Sequence, residues 1–172
     1  MLVERHSSLV RGTIYRMIPD SSDAEDCAQQ VFLRVWRAAG TYRPETKFTT
    51  WLLTITRNVV FSELRRKKIR AFFSYQTFDD EDKGRTLAQP ISPAYRNPDR
   101  ETICGELRDA VDAALAKLPA KQRMALVLHC FQQLPHEDIA IILKTSVPSV
   151  KSLIFRAREA LRAALKKRGF ME

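Results

Sequence analysis

Apolar residues recurring at three- and four-residue steps constrain this chain more than any other feature, and residues 146–168 show the pattern most clearly. There Val147, Val150, Ile154, Ala157, Leu161 and Leu165 form one stripe of an amphipathic helix. Ser146 can cap the first turn through its hydroxyl, and Pro148 is tolerated there because its missing N–H would have been unpaired anyway. Lys151, Phe155, Arg158 and Arg162 fall on a different face, with Ser152 and Arg156 beside them. A phenyl ring on a cationic face is unusual for a surface that meets only water. Taken alone, the run reads equally as a solvated basic helix or as a helix that reads a polyanion.

The same period recurs upstream. Leu2, Leu9, Ile14, Met17 and Ile18 predict a first helix, ended by Pro19 and Asp20. Ser22 followed by Glu25 is a capping-box pattern ahead of a second, with Ala24, Cys27, Ala28, Val31 and Val35 on one stripe. Phe32, Trp36 and Ala39 widen that stripe, so the helix meets neighbours on more than one side or offers a face to a partner. Gly40 is placed to end it at the position after the C-cap. Pro44 makes residues 41–47 a loop, and a third helix starts near Phe48, carrying Trp51, Leu52, Ile55 and Val59 into the basic run RRKKIR at 65–70. These three helices are expected to form one domain, residues 1–72.

Residues 73–99 change character. Asp79, Asp80, Glu81 and Asp82 precede Gly84, Pro90, Pro93 and Pro98, the composition of a flexible acidic linker. Helical periodicity resumes in a second domain, residues 100–172, first through Ile103, Leu107, Val111, Ala114, Leu115 and Leu118. Met124, Leu126, Val127, Leu128 and Phe131 mark a shorter, more buried helix, and HEDIAIIL at 136–143 another, with Pro135 beside its start. Only residues 144–147 separate that helix from the basic one, the spacing of a helix-turn-helix. The expected fold is all-α: two small helical domains, a linker, and a helix-turn-helix in the C-terminal domain.

Charge favours a polyanionic partner. The 172-residue chain carries a net charge of +9, and residues 144–168 alone hold eight Lys and Arg against the single acid Glu159. Cys27, Cys104 and Cys130 lack metal-ligand spacing, and adjacent residues such as His129 and Cys130 do not converge on one ion from a helix. No cofactor or metal is expected. With five glycines, no phosphate-binding loop and no nucleophile–base pair, the chain does not read as an enzyme. The N-terminus lacks the apolar core of a signal peptide, and no run approaches the roughly 20 apolar residues that cross a bilayer, so a cytoplasmic protein is expected.

Three segments in order carry a family resemblance: DAEDCAQQVFLRVW at 23–36, FTTWLLTITRNVVFSELRRKK at 48–68, and LPAKQRMALVLHCFQQLPHEDIAIILKTSVPSVKSLIFRAREALR at 118–162. Together they resemble a bacterial RNA polymerase sigma factor of the sigma-70 family, in its small extracytoplasmic-function group. The resemblance implies a transcription initiation factor that docks on core RNA polymerase, binds promoter DNA, and is restrained by an anti-sigma partner as is common in the family. It implies that Asp26, Gln29, Gln30, Phe32, Leu33 and Trp36 dock on the polymerase, with Gln30 standing where the family usually has Glu. Phe32 and Trp36 read equally well as core. The loop before Phe48 and the helix after it resemble the element that opens the −10 region, with Thr46, Lys47, Phe48, Arg57, Asn58, Arg65 and Arg66 as contacts. Trp51, on the apolar stripe, is expected in the core. The basic helix resembles the −35 reader: Lys151, Ser152, Phe155 and Arg156 for base edges, Ser149, Arg158 and Arg162 for phosphates.

Two departures from the family bear on the turn: Lys144 stands where Gly is common, and Pro135 where a Ser-like cap is. Two promoter elements two helical turns apart lie roughly 70 Å from each other. A flexible coil of roughly 27 residues averages about 30 Å end to end, and its full extension reaches about 90 Å. The linker must therefore stretch when both domains bind, and the acidic block is expected to thread a basic channel of the polymerase. A helix-turn-helix regulator acting without polymerase would explain the basic helix and leave the other two segments without a role.

Overall fold

The computed structural model describes residues 2–76 and 103–170, so the acidic block at 79–82 and most of the expected linker lie outside the described residues. Regular structure among the described residues is helical: α1 (Leu2–Met17), α2 (Ser21–Ala38), α3 (Phe48–Gln76), α4 (Ile103–Lys117), α5 (Ala120–Cys130), α6 (His136–Leu143) and α7 (Val147–Lys167).

In the N-terminal module the sequence stripes become the core. Val10, Ile14 and Met17 of α1, Ala24, Cys27, Ala28 and Val31 of α2, and Leu52, Leu53, Val59 and Val60 of α3 are all buried in one cluster. Burying each large side chain of this kind contributes about 1.5–3 kcal/mol. Buried Thr56 bonds back to the Leu52 carbonyl (3.0 Å), and Thr13 to that of Leu9 (2.9 Å), which satisfies hydroxyls that would otherwise penalise burial.

Three local expectations change. Asp20, not Ser22, caps α2: its carboxylate accepts the Asp23 N–H at 2.9 Å, so the helix begins two residues earlier than the capping-box reading allows. Gly40 does not end α2 in a left-handed conformation; a 3₁₀ turn at Ala39–Thr41 follows the helix, and among described glycines only Gly169 has positive φ. Finally, α3 continues to Gln76, past the position where linker composition begins.

The C-terminal module packs α4 to α7. Ile139, Ala140 and Leu143 of α6 share the core with Val150, Ile154 and Ala157 of α7. Ser146 caps α7 by accepting the Ser149 N–H (3.4 Å), with Pro148 in the first turn. Pro135 leaves α6 without a side-chain cap bond, and Glu137 and Asp138 in the first turn complement its dipole instead. Lys144 adopts the left-handed conformation, φ 51° and ψ 56°.

The modules pack against each other through polar staples laid over a shared apolar cluster. Buried Arg123 of α5 donates from Nη1 to the Met17 carbonyl at the end of α1 (2.9 Å), and from Nη2 to Ala116 and Leu118 near the end of α4. Gln132 donates to Thr13 (3.1 Å), and the Arg16 guanidinium lies over the Phe131 ring, 4.1 Å from its centroid. Replacing Arg123 with Ala strands carbonyls from both modules, and urea unfolding is expected to show about 2–4 kcal/mol less stability. Lysine should not restore it, because one ammonium cannot span three carbonyls on two helices.

Candidate nucleic-acid interface

On α7, burial of Val150, Ile154, Ala157 and Leu165 fixes what faces outward. Lys151, Ser152, Phe155, Arg156, Arg158 and Arg162 are all exposed, Phe155 at 66%. Ser149 is half-buried in the first turn, its N–H held by Ser146. Arg162 pairs with Glu159 at 3.0 Å, an exposed contact that a phosphate can displace, and Arg158 Nη2 lies 4.0 Å from the Cys130 sulfur. The N-terminal half of the helix therefore presents an ammonium, a hydroxyl, a phenyl ring and a guanidinium side by side. That set can donate to guanine edges and meet a thymine methyl in a major groove.

The outer face of α2 is also open. Asp26, Gln29, Gln30, Leu33 and Trp36 are exposed, Phe32 is half-buried, and Trp36 reaches 82% exposure, so it is surface and not core. Two clefts flank this face. In one, of about 330 Å³, Asp26, Gln29, Gln30 and Leu33 meet Glu63 and Arg66 of α3. The other, of about 710 Å³, is apolar, with Phe32, Leu33 and Trp36 opposite Tyr42, Phe48 and Trp51. Phe48 lies 5.6 Å from both Tyr42 and Trp51, ring centre to ring centre, and the Tyr42 hydroxyl donates to the Thr46 carbonyl at 3.0 Å. This ring cluster shapes the loop. Trp51 is half-buried, packed against the core while lining the apolar cleft. Cys27 sits under the polar cleft; burial, reinforced by the charges of Glu63 and Asp23, pushes its thiol up to about 11, which keeps it neutral.

The −10 candidates do not form one row. Lys47 Nζ is 3.0 Å from Asp138 Oδ2, and Arg57 Nε donates to the Ile142 carbonyl at 2.9 Å, so both are engaged by α6. Burial also lowers the Arg57 pKa from its ordinary value. Thr46 and Phe48 are half-buried within the ring cluster, while Asn58 and Arg65 are exposed. Arg66 instead meets Glu63 at 2.7 Å and borders the polar cleft beside the α2 candidates.

Sequence reasoning passed over Tyr42, Glu63 and Arg123. Arg123 carried a readable signal: it adjoins the all-apolar run Met124 to Leu128, the stretch of α5 that is buried on every side, whereas Lys121 two residues earlier stays exposed. Glu63 carried none, since one acid on a basic helix looks solvated until its neighbour α2 is placed. Among the described residues no three His, Cys, Asp or Glu side chains group to hold a metal, and no helix is long and apolar enough to cross a membrane.

Residues 2–70 match the family model for Sigma-70 region 2, and residues 108–161 match that for Sigma-70, region 4. The chain is 34% identical over 167 residues to the RNA polymerase sigma-H factor of Pseudomonas aeruginosa, covering 96% of this chain and 84% of that one. Against the ECF RNA polymerase sigma factor SigW of Bacillus subtilis it is 30% identical over 165 residues, covering 96% and 87%. Its fold is similar to that of the sigma factor RpoE from Bartonella quintana, solved in complex with the anti-sigma factor NepR. That match has a TM-score of 0.73, 22% identity, and coverage of 96% of this chain and 94% of that one.

Proposed function

The chain belongs to the sigma-70 family, in the extracytoplasmic-function group of bacterial RNA polymerase sigma factors, and from that premise we propose how its modules divide the work. It is a transcription initiation factor that binds core RNA polymerase and directs it to promoters. The outer face of α2 docks on the polymerase through Asp26, Gln29, Gln30, Phe32, Leu33 and Trp36. The loop before α3 and the helix itself act on the −10 region, and the N-terminal half of α7 reads the −35 element. The action is binding, with catalysis left to the polymerase, and the setting is the cytoplasm. An anti-sigma factor is the expected restraint, as one is bound to the Bartonella relative.

The observation that carries this reading is the α7 face: base-reading side chains all exposed, on a helix whose apolar stripe is buried. A polymerase-independent regulator would need that face alone, and would leave an 82% exposed Trp36 beside an apolar cleft without a role. In vitro transcription with core polymerase over a random promoter library tests the assignment directly. A chain that neither co-purifies with core polymerase nor selects promoters would sink it.

The packing of the modules supports a closed resting form. Asp138 and the Ile142 carbonyl hold Lys47 and Arg57, two of the side chains assigned to the −10 region. Opening must release them. Opening must also part the apolar cluster that the two modules share, so it needs a partner that covers the exposed surface.

Two outcomes follow. Arg156→Ala is expected to weaken the preferred −35 sequence by roughly tenfold with little effect on scrambled DNA, whereas Arg162→Ala weakens both alike and flattens the salt dependence by about one unit. Equal losses on both DNAs for Arg156→Ala would show that it contacts phosphate. Dyes on the exposed faces of α1 and α5, the helices joined by the Arg16–Phe131 and Gln132–Thr13 contacts, should report a separation that lengthens when core polymerase binds; an unchanged separation would contradict a closed form.

A further inference from the structure

Glu63 is the buried acid of α3, 8% exposed, and it faces two arginines of its own helix. Its Oε2 lies 2.7 Å from Arg66 Nη2, and its Oε1 lies 3.4 Å from Arg70 Nη2. The guanidiniums remain outward, with Arg66 and Arg70 side chains 65% and 62% exposed. A carboxylate fixed in the helix wall thus carries two cations four residues apart, about 6 Å along the axis. Arginine has five N–H donors, so an edge that meets Glu63 leaves others for a second acceptor.

We propose that Glu63 is a positioning residue for promoter phosphates, holding Arg66 and Arg70 extended on one side of α3 so that their remaining N–H groups meet the DNA backbone. The proposal rests on the reading of Arg66 as a −10 contact, and it adds Arg70 to that set. A long flexible side chain loses rotamer freedom when it binds phosphate, and an arginine already held in place loses less. One carboxylate between two guanidiniums also offsets their mutual repulsion. The bland alternative is an i,i+3 ion pair that only supports the helix.

The two readings differ in sign. Glu63→Gln removes a negative charge near DNA and conserves size. If Glu63 only supports the helix, lost repulsion should strengthen promoter binding and steepen its salt dependence. If Glu63 positions the arginines, holoenzyme should open the promoter about tenfold less well, and the salt slope should become shallower by roughly one to two units. In an Arg66→Ala/Arg70→Ala background the Glu63→Gln loss should vanish. Glu63→Asp, which keeps the charge and shortens the reach, should fall between wild type and Glu63→Gln.

The experiment measures promoter opening by holoenzyme across salt, with core-polymerase affinity determined in parallel. Arg66→Ala that opens promoters normally overturns the −10 reading of Arg66 and this proposal with it. Arg66→Ala that opens poorly while Glu63→Gln opens better overturns the positioning role alone. A drop in core-polymerase affinity for Glu63→Gln, with opening unchanged at saturation, assigns the cluster to docking and also overturns it. Should Glu63→Gln fail to fold, Arg70→Lys carries the test: it keeps the charge without the fork, and opening equal to wild type would count against positioning.

Discussion

The buried guanidinium of Arg123 is the interaction on which the rest of the arrangement depends. The last carbonyls of a helix have no partner within it and carry the negative end of its dipole. Here the ends of α1 and α4, from different modules, converge on one cation through Met17, Ala116 and Leu118. Burial lowers the Arg123 pKa from its ordinary value, yet an arginine starts so far above neutrality that it stays charged. A buried charge is costly unless paired and bonded, and its partners are found only when both helix ends are in place. The same device recurs at the other side of the junction, where Arg57 donates to the Ile142 carbonyl near the end of α6. The modules are joined by a shared apolar cluster and by arginines at helix ends, and water or phosphate can take over the polar part when they separate.

That construction suits a protein whose two DNA-facing surfaces must act at separated sites. The α7 face stays open whatever the modules do, because its presentation is settled inside the C-terminal module by the α6–α7 core. The α2 face is likewise set by its stripe against α1 and α3. Of the side chains assigned to DNA, Lys47 and Arg57 are the ones held across the junction, beside Arg16 and Arg123, which join the modules without such an assignment. The α2 and α7 faces are thus exposed with the modules packed together, whereas Lys47 and Arg57 are engaged by α6.

Much of this was legible from periodicity. Side chains at three- and four-residue steps set out the helices, and the Ser146 cap and the Pro148 first turn followed from residue chemistry alone. The errors were local competitions. Asp20 and Ser22 are both good caps two residues apart, and the choice fell to Asp20, whose carboxylate reaches the Asp23 N–H. Gly40 can end a helix, but a 3₁₀ turn satisfied the carbonyls without positive φ. The helix α3 ran on through Phe72 and Phe73 because nothing there breaks a helix, even though the apolar period had already faded. The partners of Glu63 and Arg123 were beyond sequence for a different reason: the burial of Arg123 had a signal and that of Glu63 had none, but packing decides what each one meets. For Trp36 the stripe predicted an apolar face without saying whether protein or partner covers it, and its exposure answers that for the free chain.

Lys144 shows how a local cost can secure a distant presentation. A side chain at φ 51° sits where glycine is favoured, a penalty of about 1 kcal/mol. In return its N–H bonds to the Ile141 carbonyl (3.2 Å) and that of Thr145 to Ala140 (3.0 Å), closing the end of α6 within a single turn. Closure that tight leaves only Thr145 and Ser146 before α7 starts, so little slack remains in the angle between the helices. Lysine also places a cation at the negative end of α6, which a glycine could not. The strain therefore fixes how Lys151, Ser152, Phe155 and Arg156 are aimed, because the turn that carries it also sets where the first turn of α7 begins.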